Sequence, residues 1–112
     1  MRIDNVTRLR GPNRYLSRPV IIARLDLMEL AGRESTDHPG FVTRLLDVLP
    51  GLAEHHCGMA RPGGFVDKMT QGTYFGHVVE HVALELSHLI GREVNFGRTL
   101  QTDTPGWFEL VL

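Results

Sequence analysis

The sequence predicts an α+β domain: a small antiparallel or mixed sheet of about four strands, in the order ββ-ααα-ββ, with the helices packed on one face. Three observations carry this expectation. Extended-type apolar runs stand near both ends of the chain, the middle carries apolar residues at helical spacing, and Gly and Pro pairs punctuate the joins. At 112 residues there is room for one modest core, so residues 1–112 are expected to fold as a single domain.

Residues 3–10 hold irregularly spaced apolar positions and stop at Gly11-Pro12-Asn13, which predicts a strand and a tight turn. Residues 20–27 open on Val20, Ile21 and Ile22 and are long enough for a central strand, expected to pair with the first. Residues 30–40 turn polar and end as a helix start, with Ser35 or Asp37 as cap and Pro39 in the first turn. Phe41, Leu45, Leu46, Val48 and Leu49 then recur at helical spacing until Pro50-Gly51 interrupts them. Glu54, His55, His56 and Cys57 follow, either as a fraying helix end that suits histidines against the dipole or as donors to a metal. The stretch from Gly58 to Gly64 reads as a loop, and residues 65–69 as at most a short helix. Thr73 is expected to cap the longest helix and Gly91 to end it. Val94-Asn95-Phe96 and residues 107–112 read as the last two strands, separated by Gly97-Arg98-Thr99 and the turn at Thr104-Pro105-Gly106.

Composition narrows the function classes. A formal net charge of −1 gives no electrostatic reason to expect nucleic acid or an anionic membrane as partner. No apolar run approaches the roughly 20 residues of a membrane span, and the N-terminus lacks the apolar core of a signal peptide. The single Cys57 excludes an internal disulfide framework, which fits a reducing cytoplasm. No Gly-x-x-x-x-Gly-Lys-Ser/Thr stretch occurs, so no nucleotide cofactor is expected.

The chemistry concentrates in the central helix. At about 100° per residue, Phe75, Val78, Val79, Val82, Ala83, Leu86, Leu89 and Ile90 fall on one arc, and His77, Glu80, His81, Glu85 and His88 on the other. His77 and His81 are one turn apart, the spacing at which two imidazoles converge on one ion, and Glu80 stands between them. This His-x-x-Glu-His order is that of inverzincin metallopeptidases, where the histidines hold zinc and the glutamate takes a proton from its water. A third donor is needed. His55 is one option, and Glu85 is the other, as ligand or as a partner orienting a ligand imidazole. His77 and Glu85 are about 12 Å apart along a straight helix, which makes a shared ion awkward.

Taken with Leu9-Arg10-Gly11-Pro12-Asn13, Arg24-Leu25-Asp26-Leu27, Pro39-Gly40-Phe41, Val48-Leu49-Pro50, Glu54-His55, Gly63-Gly64-Phe65 and Phe96-Gly97-Arg98-Thr99, the central helix makes the chain resemble the N-terminal domain of cyanophycin synthetase. The resemblance runs in order along nearly the whole chain. It implies an excised N-terminal domain or a free-standing relative of one, without the family's two ATP-dependent ligase domains and without ligase activity of its own. It further implies cyanophycin as partner, a poly-aspartate backbone bearing arginine on each side-chain carboxylate. The implied roles are holding that polymer near the ligase sites and, in some members, cutting it into short primers at a metal-dependent site.

Residue chemistry and resemblance together predict a zinc-dependent hydrolase of the cyanophycin backbone, with His77 and His81 as ligands, His55 or Glu85 as third, and Glu80 as general base. A substrate alternating guanidinium and carboxylate groups calls for both charge signs around its cleft: Asp67, Glu80, Glu85 and Asp103 for the one, Arg10, Arg14, Arg61 and above all Arg98 for the other. The rival readings are a polymer-binding module without chemistry and a structural zinc domain with four closed ligands.

Overall fold

The computed structural model describes residues 1–57 and 61–112, so the first part of the loop expected from Gly58 to Gly64 lies outside the described residues. Strands β1 (Arg2–Leu9) and β2 (Val20–Asp26) pair antiparallel, as their apolar content predicts. The turn between them is organised by Asn13, whose amide nitrogen donates to the carbonyls of Arg10 and Arg18 at 3.2 and 3.0 Å while its oxygen accepts from the Tyr15 and Leu16 N–H groups. β2 also pairs with the last strand of the chain, Trp107–Val111, which in turn pairs with Arg98–Gln101. With Arg98–Gln101 as β3 and Trp107–Val111 as β4, the sheet is antiparallel throughout, in the order β1-β2-β4-β3.

Directly opposed residues share a face of a sheet. Leu25 opposes Phe108, and Ala23 and Thr99 both oppose Leu110. That face receives the helices: Tyr74 stacks on Phe108 with centroids 5.6 Å apart, and the Thr99 hydroxyl lies 3.3 Å from the Gly76 carbonyl. The opposite face is finished by Arg24 lying 4.8 Å over the Trp107 ring.

Between the strand pairs run α1 (Phe41–Val48), α2 (Gly64–Gln71) and α3 (Phe75–Leu89), with 3-10 turns at Met28–Leu30, Ser35–Asp37 and Pro50–Glu54. Several expectations are corrected here. Asp37 caps no α-helix: it closes the 3-10 turn by accepting the Glu34 N–H at 2.8 Å. Pro39 holds His38 extended, so α1 starts only after Gly40, whose φ of +77° is open to glycine alone without strain. α2 is a full eight residues, because Phe65 and Met69, one turn apart, both enter the core. Thr73 does not cap α3, whose N-cap is Tyr74 without a side-chain bond. Residues 94–96 are no strand, since β4 finds its hydrogen-bonding partner in Arg98–Gln101 instead.

The largest departure concerns α3. Phe75 and Val78 are buried as expected, but so are His81 and Glu85, while Leu86, Leu89 and Ile90 are exposed. The 3-10 turn at Pro50–Glu54 and the ring of Phe65 cover the face that the sequence marks as polar, and the apolar last turn extends past them.

The core is built from Leu27, Leu52, Phe65, Met69, Phe75 and Val78, with two residues each from α2 and α3. Among the described residues no helix is long and apolar enough to cross a membrane. Leu27 joins sheet to helices, since its N–H donates to the Gly106 carbonyl at 2.9 Å while its side chain, 1% exposed, enters the cluster. Leu27→Ala is expected to lower the free energy of unfolding by about 2–5 kcal/mol, measured as a shift in urea midpoint at unchanged slope.

Candidate metal centre

α3 opens on a polar knot that fixes its first histidine. The buried Ser35 hydroxyl donates to the Met69 carbonyl at 2.8 Å and accepts the Thr73 N–H at 3.1 Å, which places the Thr73 hydroxyl 2.9 Å from His77 Nδ1. His77 Nε2 then faces Cys57 Sγ at 3.0 Å. Cys57 reaches it from the segment after the Pro50–Glu54 turn, with a backbone φ of +51°, a left-handed conformation that costs a residue with a side chain about 1–2 kcal/mol.

One turn further along α3, His81 is fixed on two sides. Phe65 stacks against its ring with centroids 4.0 Å apart and planes 17° from parallel. His55 Nδ1 lies 2.9 Å from His81 Nδ1, and His55 Nε2 lies 2.9 Å from Glu85 Oε2. Glu85 itself is packed against Gly51, where a Cβ would overlap its carboxylate.

The outcome is a cluster of Cys57, His77 and His81, each offering one donor atom, all within 4.8 Å of one another. His77 and His81 are brought together, as their one-turn spacing predicts. His55 bonds to both His81 and Glu85, and the third member of the cluster is Cys57, two residues past His55. Its presence within the Glu54 to Cys57 segment was the sequence signal. A thiol with two imidazoles suits zinc, and three protein donors leave a fourth position, as in catalytic zinc sites.

Electrostatics favour neutral imidazoles, the form that donates to metals. Burial lowers the pKa of His77, partly opposed by the nearby Glu80 carboxylate. Burial together with the charges of His77 and His55 lowers that of His81 to about 3. Burial and the Glu80 carboxylate raise the Cys57 thiol, so its ionisation calls for a positive partner.

Glu80 is held apart from this cluster: Thr99 Oγ1 donates to its Oε2 at 2.6 Å. Gly97 passes so close that a Cβ there would meet Glu80 Cγ at 3.1 Å and Leu84 Cδ1 at 2.9 Å. Thr99 and Phe65 stand in the stretches that carry the family resemblance, but no sequence feature assigned either a role at the site. Cluster, Glu80 and Glu85 all line one cleft of about 960 Å³, with Glu54, His88, Asn95 and Arg98 around them. Of the cationic candidates, Arg98 lines this cleft. Arg10 is not among its described lining residues, and neither are Arg61 and Asp67, which form an ion pair with each other.

Comparison with known proteins gives a consistent assignment. A family model described as the cyanophycin synthase-like N-terminal domain matches residues 22–112. The cyanophycin synthetase of Synechocystis sp. is 49% identical over 113 residues, 99% of this chain and 13% of that protein. That of Crocosphaera subtropica is 48% identical over 113 residues, with the same coverages, and that of Trichormus variabilis 46% over 114 residues, 100% of this chain and 13% of the relative. The chain thus spans only 13% of the length of these relatives.

His81 makes the stability of the metal-free protein depend on pH. The unfolded chain takes up a proton on this imidazole near the ordinary value of about 6.5, while the folded chain does so only near 3. The unfolded state therefore holds more protons between those values, and stability is full above about 6.5 and is lost as pH falls through about 3. Urea midpoints recorded across that window are expected to fall, and to fall less steeply in His81→Gln.

Proposed function

The chain belongs to the cyanophycin synthase-like N-terminal domain family, and from that premise we propose that it binds cyanophycin, or a related aspartate- and arginine-containing peptide, and hydrolyses its backbone at a divalent metal site to give short primers. The observation that carries this reading is the convergence of Cys57, His77 and His81 beside a separately held Glu80 in one open cleft. In a longer protein of the family's kind, the ligase domains would be its partners.

The residues divide the work. Cys57, His77 and His81 would hold the ion, zinc being the metal best matched to a thiol and two imidazoles. When bound, such an ion polarises the scissile carbonyl and brings the pKa of its water to about 7. Glu80, steadied at one oxygen by Thr99, accepts the proton of the attacking water and returns it to the leaving amide nitrogen. Arg98 offers a guanidinium to a substrate carboxylate, and the exposed Glu54 a carboxylate to a substrate guanidinium. A cleft of about 960 Å³ is wide enough for several residues of a branched peptide.

Removal of a donor should release the metal. Cys57→Ala, His77→Ala and His81→Ala are each expected to be purified with little zinc by elemental analysis, and full occupancy in all three would remove the site assignment. Glu80→Gln separates chemistry from binding, because it preserves size and removes the base. This variant is expected to retain zinc and polymer binding while cleaving cyanophycin about 100-fold or more slowly. Wild-type protein that binds the polymer yet shows no chelator-sensitive cleavage would instead be a binding domain.

A further inference from the structure

Glu85 and His55 remain as buried or half-buried polar groups that the reaction above does not use. Glu85 is only 7% exposed and His81 6%, so neither relies on bulk water for its hydrogen bonds. The order of contacts then restricts where the protons sit. An ionised Glu85 only accepts, so the proton between Glu85 Oε2 and His55 Nε2 belongs to the imidazole. A neutral His55 is thereby left with a bare Nδ1, which accepts from Nδ1–H of His81, 2.9 Å away. His81, a member of the cluster with Cys57 and His77, is consequently left with an unprotonated Nε2, the nitrogen that can then donate to a metal.

We propose that Glu85 and His55 are positioning residues that act in series, selecting the tautomer and ring orientation of His81 that can donate to a metal. This rests on the metal-site reading above and replaces direct ligation by either residue. Three features of the packing support it. Phe65 lies flat against the His81 ring and leaves rotation in its own plane as the freedom to be fixed, which the His55 contact does. The extended backbone at His55 follows directly from the end of the Pro50–Glu54 turn. Gly51, in that same turn, makes room for the Glu85 carboxylate.

Long-range nitrogen–proton NMR of the metal-free protein reads the tautomers directly, and zinc titration reads their consequence. In the wild type, His81 should carry its proton on Nδ1 and His55 on Nε2. Glu85→Leu should mix the His81 tautomers and weaken zinc binding by about 10- to 100-fold, the usual effect of losing a partner of a ligand histidine. Gly51→Ala, which displaces the carboxylate without touching any donor, should do the same in milder form and guards against Glu85→Leu failing to fold. Glu85→Gln keeps a carbonyl acceptor and should stay close to wild type. Cobalt(II) bound in place of zinc should show the same ligand-field spectrum in wild type and Glu85→Leu. A His81 proton found on Nε2, wild-type zinc affinity in Glu85→Leu and Gly51→Ala, or a cobalt spectrum reporting a lost ligand would each overturn the proposal. If the wild type takes up no zinc, the metal-site reading fails by itself, and the His81 tautomer still decides for or against the relay.

Discussion

The structure depends on burying a helix face made of imidazole and carboxylate groups. Leaving such groups without partners would cost several kcal/mol, so the surroundings of His81 and Glu85 are shaped to satisfy them. His55 bonds to both. It does so because Pro50 starts a 3-10 turn that ends at Glu54 and releases His55 into extended backbone. Two residues later the same segment delivers Cys57 to His77. One turn of chain therefore supplies both the support of one histidine and the neighbour of the other, and a single apolar ring, Phe65, backs the pair from the core.

The sheet contributes from the other side of α3. The pairing of β3 with β4 sets Thr99 against the helix beside the Gly76 carbonyl, where its hydroxyl donates to Glu80. Close approach is possible because residues 76 and 97 are glycines: a Cβ on Gly76 would stand 3.1 Å from the Thr99 methyl, and one on Gly97 would press on Glu80. The carboxylate is thus held by a strand, whereas the donor cluster is held by the turn and α2. Glu80 and the cluster have separate supports, which lets each be altered without dismantling the other.

These arrangements give the family assignment a physical content. Identity of 46–49% over nearly the whole chain establishes membership, and the clustered side chains lie within a segment covering 13% of the longer relatives. Core, cluster, Glu80 and cleft are all contained in it.

Much of this was legible locally. The strand runs at either end, the helix ending near Gly91 and the one-turn spacing of His77 and His81 are properties of a few neighbouring residues, and the structure follows them. Other features were decided only by packing. Helical periodicity divided α3 into an apolar and a polar arc, yet which arc is covered depends on what lies against it, and the turn at Pro50–Glu54 covers the polar one. That Cys57 meets His77 while His55 meets His81 turns on contacts between segments at least 20 residues apart. The last strand pair formed at Arg98–Gln101 because β4 sets the register, which residues 94–96 do not reach. Sequence determines the periodicities and the supply of donor groups within each segment; which donors meet is set by how the segments pack, because the meeting atoms belong to elements that local sequence does not relate.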